Sequence, residues 1–147
     1  MRRTFFLVAV ALVVVRAGSF DAAGQLSNTG VVHAFLTEAK KSKPTTIFSP
    51  EVPGICLVWK GEGFQVGDKI RVVWIAEDVG AASPKWTKIN EGSAVVFKSN
   101  DGGTILLGRP RDRTWPLGKY RAEIYVGKQI VQSLKFTVQS GATVELN

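Results

Sequence analysis

The chain has 147 residues, which is room for a single domain. Hydrophobic residues make up 45% of it and charged residues 21%, a composition typical of globular proteins and not of disordered ones. The formal net charge is +7, a mild excess that permits an anionic partner surface. Because no basic helix or continuous basic stripe accompanies this charge, we expect no nucleic-acid binding.

The N-terminal segment has the pattern of a secretory signal peptide. Two arginines precede the apolar run Phe5–Val15, which is too short to span a bilayer, since a span needs roughly 20 apolar residues. The small residues Ala22 and Gly24 favour cleavage directly after them, and a second site closer to the apolar run also fits. An uncleaved anchor or a buried N-terminal strand would share the pattern. We predict that residues 1–24 are a signal peptide and that the mature protein is periplasmic or extracellular.

Side chains that carry catalysis or bind metals are scarce in this sequence. There is one histidine, His33, and one cysteine, Cys56. Zinc and copper sites need several such ligands, and a nucleophile paired with histidine would require His33 to fold across the domain. A domain of this size also offers no deep cleft for a catalytic carboxylate pair. We therefore expect no metal, no cofactor and no enzymatic activity. A single cysteine in an exported chain excludes an internal disulfide, so Cys56 is either a buried thiol or pairs between chains.

The mature chain divides into an arm, a β domain and a tail. Residues 25–43 are predicted to be an arm or linker, in which a short helix and a loose strand fit equally well. From Pro44 onward, short β runs alternate with turn residues at the spacing typical of a sandwich or barrel. The seven predicted strands cover residues 45–48, 55–60, 68–76, 88–98, 104–108, 119–126 and 129–138. The predicted domain is 44–138, and 139–147 is a tail.

Three residues on different predicted strands resemble the signature of the immunoglobulin-like sandwich: Cys56 on the second, Trp74 on the third and Tyr120 at the start of the sixth. The stretches that contain Trp115 and Phe136 resemble the closing hairpin of small exported bacterial immunoglobulin-like (fibronectin-like) proteins of an uncharacterised type. The resemblance covers roughly residues 44–138. It implies an all-β fold, a single immunoglobulin-like antiparallel sandwich of about seven strands, with these five side chains in its core. It implies no particular activity, because this architecture hosts many.

The same topology predicts that three loops, 50–53, 77–86 and 109–115, meet at one pole of the sandwich. The candidate partner-binding residues at this pole are Lys85, Trp86, Arg109, Arg111 and Arg113. Arginine and tryptophan are enriched in binding hot spots and also suit sugars or acidic groups. A solvated loop or a cap on the core would use the same residue types.

Two functions remain open at this point. The first is a non-catalytic accessory domain of the cell envelope that binds a protein partner, which predicts an exposed apolar patch or an open edge strand. The second is a carbohydrate-binding module for envelope or extracellular polysaccharide. It predicts coplanar exposed aromatic rings, drawn from Trp59, Trp86, Trp115 and Tyr125. No aromatic pair lies at an obvious platform spacing, so the sequence favours the protein partner.

Overall fold

The computed structural model describes residues 30–111 and 113–141, so the predicted signal peptide and most of the tail lie outside the described residues. Within these ranges the chain forms eight strands and one short 3₁₀ helix. The strands are β1 (Val31–Glu38), β2 (Ile47–Phe48), β3 (Gly54–Glu62), β4 (Lys69–Asp78), β5 (Thr87–Val95), β6 (Gly102–Gly108), β7 (Gly118–Val126) and β8 (Gln129–Val138). No helix in the described ranges is long and apolar enough to cross a membrane.

The eight strands form two sheets. A three-stranded sheet has the order β1-β3-β6, and a five-stranded sheet has the order β2-β8-β7-β4-β5. The neighbours pair antiparallel, apart from the short parallel pairing of β2 with β8. Alternate side chains of each sheet enter one shared core, as expected when one face of a strand is buried and the other meets water. This strand order is that of an immunoglobulin-like sandwich, so the predicted fold class is confirmed.

The centre of the core is an aromatic cluster around Phe136 of β8. Its ring stacks on Tyr120 at a centroid distance of 5.1 Å and meets Trp74 edge-on at 6.1 Å. Phe48 of β2 meets it edge-on from the other side, at 5.6 Å. Aromatic pairs of this geometry contribute roughly 0.5–1.5 kcal/mol each beyond the area they bury. Because β2, β4, β7 and β8 each supply one ring, the cluster connects four of the five strands of this sheet.

The segment predicted as an arm contributes a strand to the sandwich. β1 pairs with β3 from Val31 opposite Glu62 to Glu38 opposite Ile55. Val32 and Ala34 face the core, so the segment follows the period of a strand and not that of a helix. The sandwich therefore begins well before Pro44, the boundary expected from the sequence, because the apolar residues ahead of Pro44 complete the three-stranded sheet.

Cys56 is not a core residue, which corrects the expectation from the fold signature. On β3 the side chains of Ile55, Leu57 and Trp59 are buried, and Cys56 lies between them in sequence. Because successive side chains of a strand point to opposite faces, Cys56 stands on the outer face of the three-stranded sheet, where it is half-buried. The four other side chains of the expected signature, Trp74, Trp115, Tyr120 and Phe136, are buried.

Candidate functional site

The three loops expected at one pole of the sandwich are joined there by backbone contacts. The N–H of Arg109 donates to the carbonyl of Pro53 (3.0 Å), and the N–H of Trp115 donates to the carbonyl of Pro50 (2.9 Å). The loop after β4 reaches the same place, because Asp78 pairs with the residue next to Gly118. We call this end of the molecule, formed by residues 50–53, 77–86, 109–111 and 113–117, the arginine pole.

Two side chains at the arginine pole, those of the core residue Trp115 and of the candidate residue Arg109, hold its loops together. The buried indole of Trp115 donates from Nε1 to the carbonyl of Val52 at 2.9 Å. The guanidinium of Arg109 donates to the carbonyl of Glu51 at 2.7 Å. Both bonds cross from one loop to another over long sequence separations. Both side chains therefore stabilise the pole, but Trp115 is buried whereas Arg109 stays exposed.

Trp86 is the exposed aromatic residue of the arginine pole. It is 58% exposed, and its backbone has a positive φ of 62°. The guanidinium carbon of Arg121 lies 4.9 Å from the centre of its ring, so one ring face is occupied. Beside it, Lys85 forms an exposed ion pair of 3.4 Å with Asp78. A hydrogen bond from the Gly80 N–H, together with the Lys85 ammonium, holds the pKa of Asp78 below its usual range.

The two remaining candidate residues, Arg111 and Arg113, are exposed. The backbone N–H of Arg113 approaches the carbonyl of Pro110 at 3.4 Å, which closes a tight turn in the loop. All five predicted partner-binding residues are thus exposed, and the guanidinium of Arg109 also bonds to a neighbouring loop.

The pairing register of the strands brings polar side chains together on the outer face of the five-stranded sheet. The sequence alone does not show this network. Arg121 bonds to Glu77 at 2.6 Å and approaches Glu123 at 3.6 Å. The hydroxyl of Tyr125 donates to Glu123 at 2.8 Å, and the guanidinium of Arg71 lies 4.3 Å above the Tyr125 ring. The bond to Glu123 raises the pKa of Tyr125. In the sequence of β7, Arg121, Glu123 and Tyr125 alternate with apolar residues, which indicates a solvated face. The pairings on this face depend on which strands are neighbours, and local sequence does not show that.

The aromatic residues proposed for sugar stacking do not form a platform. Trp59 and Trp115 are buried. Trp86 and Tyr125 are accessible, but each has an arginine over one ring face. The partner of Trp86, Arg121, stands four residues before Tyr125 on β7, which separates the two positions by about 13 Å.

The outer face of the three-stranded sheet carries an accessible apolar surface. Phe35, Val58 and Thr104 stand side by side across the three strands, and Cys56 lies next to Leu106 in the following row. The Leu106 side chain is 57% exposed. We call the surface formed by Phe35, Cys56, Val58 and Leu106 the apolar face. Burial raises the pKa of the Cys56 thiol, so this group is neutral at physiological pH.

Among the described residues, β6 is an edge strand, and no neighbouring strand of that part of the chain pairs with its outer backbone groups. The N–H of Gly61 donates to the carbonyl of Asp101 (2.8 Å), and the N–H of Arg109 donates to the carbonyl of Pro53 (3.0 Å). The odd-numbered residues from 101 to 109 are therefore the ones whose backbone groups bond to β3. In an antiparallel ladder the residues between them direct N–H and C=O the other way. Thr104 and Leu106 therefore point their backbone groups to the open edge. β6 carries no charged residue and no proline, and its pairing with β3 has no bulge.

The other edges of the described sheets are protected. β5 is interrupted by a bulge at Ile89 and carries the ion pair of Lys88 with Glu91 at 2.6 Å. β1 is covered in part, because Thr45 donates to the Leu36 carbonyl at 2.9 Å. β2 has two residues. Bulges, charges and short length are the usual means of blocking strand addition. Within the described chain, β6 lacks all of them.

The described residues hold no recognisable metal cluster. Within 30–111 and 113–141, no group of three or more His, Cys, Asp or Glu side chains is arranged to bind a metal ion. His33 is exposed on β1, opposite Lys60 of β3.

No family model matches the sequence, and no curated protein matches it. Among solved structures, the chain is similar to an immunoglobulin-like protein from Pseudomonas aeruginosa, with 15% identity, a TM-score of 0.46 and coverage of 75% of this chain and 93% of that one. It is also similar to part of an alkylpurine DNA glycosylase from Pseudomonas fluorescens bound to DNA containing an abasic site analogue, with 13% identity, a TM-score of 0.47 and 76% of this chain covered. The chain spans 30% of the length of that glycosylase. A β-glucosidase from Listeria innocua in complex with isofagomine matches at 12% identity, a TM-score of 0.44 and coverage of 74% of this chain and 16% of that one.

Proposed function

We propose that the chain is a non-catalytic, exported accessory domain of the cell envelope that binds a protein partner, and that the partner adds an extended segment to β6. The observation that carries this proposal is the open backbone edge at Thr104 and Leu106, directly beside the apolar face. Export rests on the N-terminal sequence pattern of basic residues followed by the apolar run Phe5–Val15.

Strand addition uses two kinds of interaction that this edge offers. The N–H and C=O groups of Thr104 and Leu106 are available to a parallel or antiparallel segment, and each hydrogen bond formed contributes roughly 0.5–1.5 kcal/mol net. Every second side chain of the added segment would stand on the same side of the sheet as Leu106, at the margin of the apolar face. Burial of this surface supplies affinity, at roughly 25 cal/mol per Å² of apolar area. A suitable partner segment therefore has apolar residues at alternate positions.

The carbohydrate alternative has less support. Its platform requires coplanar exposed rings, whereas Trp59 and Trp115 are buried and Trp86 lies under Arg121. The apolar face holds a single aromatic ring, that of Phe35. Both observations favour a protein segment over a sugar as the ligand.

The test of this function is affinity capture from the envelope fraction with two variants of one residue. In Thr104→Pro, the outward N–H is lost without removing a bond to β3, and proline is tolerated at an edge whose N–H faces solvent. Thr104→Val is the matched control, since it keeps the N–H and a β-branched side chain. We expect the wild type and Thr104→Val to retain the same stoichiometric protein, and Thr104→Pro to lose it while keeping the wild-type circular dichroism spectrum.

Three outcomes would contradict the proposal. Equal capture by all three proteins would show that the edge is not used. Loss of capture in Trp86→Ala, but not in Thr104→Pro, would move the binding surface to the arginine pole. Recovery of glycan without a protein would support the carbohydrate-binding function instead.

A further inference from the structure

The open edge of β6 is symmetric about Ile105. The strand has 7 residues, 102–108, and Ile105 is the middle one. Thr104 and Leu106, which direct their backbone groups to the open side, flank it. When two copies of such a strand meet antiparallel on a two-fold axis, each residue lies opposite the one at the same distance on the other side of the centre. β6 is therefore able to pair with itself over its whole length.

The two ends of this strand carry opposite charges. Asp101 directly precedes β6 and Arg109 directly follows it, and the residues between them are uncharged. Both residues continue the ladder with β3. The carbonyl of Asp101 accepts the N–H of Gly61, and at the other end the N–H of Arg109 donates to β3's neighbour Pro53. The two charges thus stand at equal distances from the centre of the strand, on a fixed backbone.

Both charged groups retain capacity for a further partner. The carboxylate of Asp101 accepts the N–H groups of Phe97 and Gly102, which lower its pKa, so this group is ionised at neutral pH. Arg109 is exposed, and its Nη1 donates to the carbonyl of Glu51. Within the described ranges neither residue forms an ion pair. Because a guanidinium has several N–H donors and a carboxylate several acceptor lone pairs, each is able to bind a group of opposite charge.

Antiparallel pairing of two copies about Ile105 matches the backbone groups and the charges at the same time. Thr104 of one copy lies opposite Leu106 of the other, and each such pair exchanges both of its backbone hydrogen bonds. Asp101 of each copy lies opposite Arg109 of the other, in a pair without backbone bonds, where facing side chains stand closest. A slip of the register by two residues shortens the paired stretch and separates these charges. The register is therefore specified by the strand itself.

The pairing also covers the most exposed side chain of the apolar face. Leu106 is 57% exposed, and across the joint the Leu106 side chains of the two copies are diagonal neighbours, within the reach of long side chains. On the inner side, Gly92 of β5 lies against Ile105, so β5 has no side chain at the place where the axis passes. The two three-stranded sheets then form one continuous sheet, and the joint buries apolar surface.

We propose that β6 pairs with β6 of a second copy of this chain, antiparallel and centred on Ile105, in a reversible dimer that closes the edge to other segments. The inference rests on the proposed function, strand addition at β6, and names the occupant that an envelope partner has to displace. A joint of one strand pair is smaller than the roughly 1,200 Å² of standard interfaces. The dimer is therefore weak, and the dilute chain keeps its edge open.

Sedimentation of the full chain as it is exported measures this association. We expect the average mass to rise from one copy toward two as the concentration increases. Arg109→Glu places like charges opposite each other at both ends of the joint and should raise the dissociation constant about tenfold or more. Arg113→Glu is the matched control, since it makes the same charge change at an exposed position of the same loop, and its effect should stay below about twofold.

A mixture of two charge variants tests the register. Asp101→Lys places basic residues opposite each other, and Arg109→Glu places acidic residues opposite each other, so each variant alone dimerises weakly. In the mixed pair every facing pair at these positions has opposite charges, and we expect the dissociation constant to return to within about threefold of the wild-type value. Recovery also shows that both variants are folded. Where Asp101→Lys loses the wild-type circular dichroism spectrum, the comparison of Arg109→Glu with Arg113→Glu decides.

The outcomes separate this inference from the proposed function. A wild type that stays a single copy at every concentration overturns the dimer, while loss of the envelope partner in Thr104→Pro would still support strand addition. Equal association of Arg109→Glu and Arg113→Glu, or a mixture of folded variants no stronger than its components, also overturns it. A dimer that passes both charge tests and is lost in Thr104→Pro but kept in Thr104→Val supports the inference, even when no envelope protein is captured.

Discussion

The hydroxyl of Tyr120 donates a 2.6 Å hydrogen bond to the carbonyl oxygen of Pro116, four residues earlier. Tyr120 is buried at the start of β7, stacked on Phe136, so the bond connects the aromatic core to the loop that crosses from one sheet to the other. A buried tyrosine that caps this corner is characteristic of immunoglobulin-like sandwiches. The same loop carries Trp115, and its position fixes the arginine pole.

Replacement of Tyr120 by Phe keeps the ring in the core and removes the hydrogen bond. We expect the free energy of unfolding to fall by about 1–1.5 kcal/mol, because the Pro116 carbonyl loses its partner in a partly buried position. Urea unfolding followed by tryptophan fluorescence measures the change. Tyr125→Phe is the control: its hydroxyl bonds to Glu123 at the surface, and we expect a loss below about 0.5 kcal/mol. An equal effect of both substitutions would contradict a special role for the corner.

Stability should depend on the ionisation of Tyr120 at alkaline pH. Burial raises the pKa of its hydroxyl from 10.0 to about 12. Since the folded pKa lies above the unfolded one, the contribution is fully present below about pH 10 and is lost as the pH rises toward 12. The unfolding midpoint of the wild type should therefore fall more steeply over this window than that of Tyr120→Phe. Parallel curves for the two proteins would contradict this prediction.

The pair of Arg121 with Glu77 is expected to contribute more to stability than the pair of Lys85 with Asp78. The first pair is mostly buried and has an N–O distance of 2.6 Å, whereas the second is exposed at 3.4 Å. Arg121→Met leaves the Glu77 carboxylate without its partner and should cost about 1–2 kcal/mol. Lys85→Met should change stability by less than about 0.5 kcal/mol. Chemical denaturation at low and at high salt measures the free energy of unfolding of both variants. A larger loss of stability in Lys85→Met than in Arg121→Met would contradict the prediction.

Gly118 occupies a position that other residues cannot adopt without strain. Its φ is +146°, and a Cβ there would clash with the backbone of Asp78 and Val79. Gly118→Ala should therefore destabilise the protein by at least about 2 kcal/mol. Gly108→Ala is the matched control, since a Cβ at that position meets nothing within 4 Å. Thermal unfolding of the two variants gives the comparison, and similar midpoints would show that the loop relaxes around the new methyl group.

The fold was predictable where local pattern determines it. In the sequences of β7 and β8, apolar residues such as Ala122, Ile124 and Phe136 alternate with polar ones, which indicates the buried face. The tryptophan and tyrosine of the signature, Trp74 and Tyr120, are both in the core. The sequence did not predict β1, because the short segment around Phe35 fits the period of a helix as well as that of a strand. Its pairing with β3 is a long-range interaction that local sequence does not show. Cys56 was assigned to the wrong face for a related reason. The residues on both sides of Cys56 in β3 are apolar, so apolar and polar positions do not alternate and the sequence does not show which side chains face the core.

The candidate site was predictable to a lesser extent. Sequence order and the topology together indicated that Arg109 and Trp115 approach residues 50–53. The sequence could not show that these two side chains would each donate a hydrogen bond to a loop carbonyl, or that Trp86 would lie under Arg121. The open edge of β6 depends on the absence of a neighbouring strand, a property of the whole sheet that no local pattern encodes.

Amide hydrogen exchange along β6, measured with and without the captured partner, tests the central claim most directly. In the free protein we expect slow exchange at Ile105 and Leu107, which bond to β3, and fast exchange at Thr104 and Leu106, whose amides face the open edge. With the partner bound, the amides of Thr104 and Leu106 should become protected by about 100-fold or more, since each forms an interstrand hydrogen bond. Unchanged exchange at these two amides, with new protection at the arginine pole, would contradict strand addition as the mode of binding.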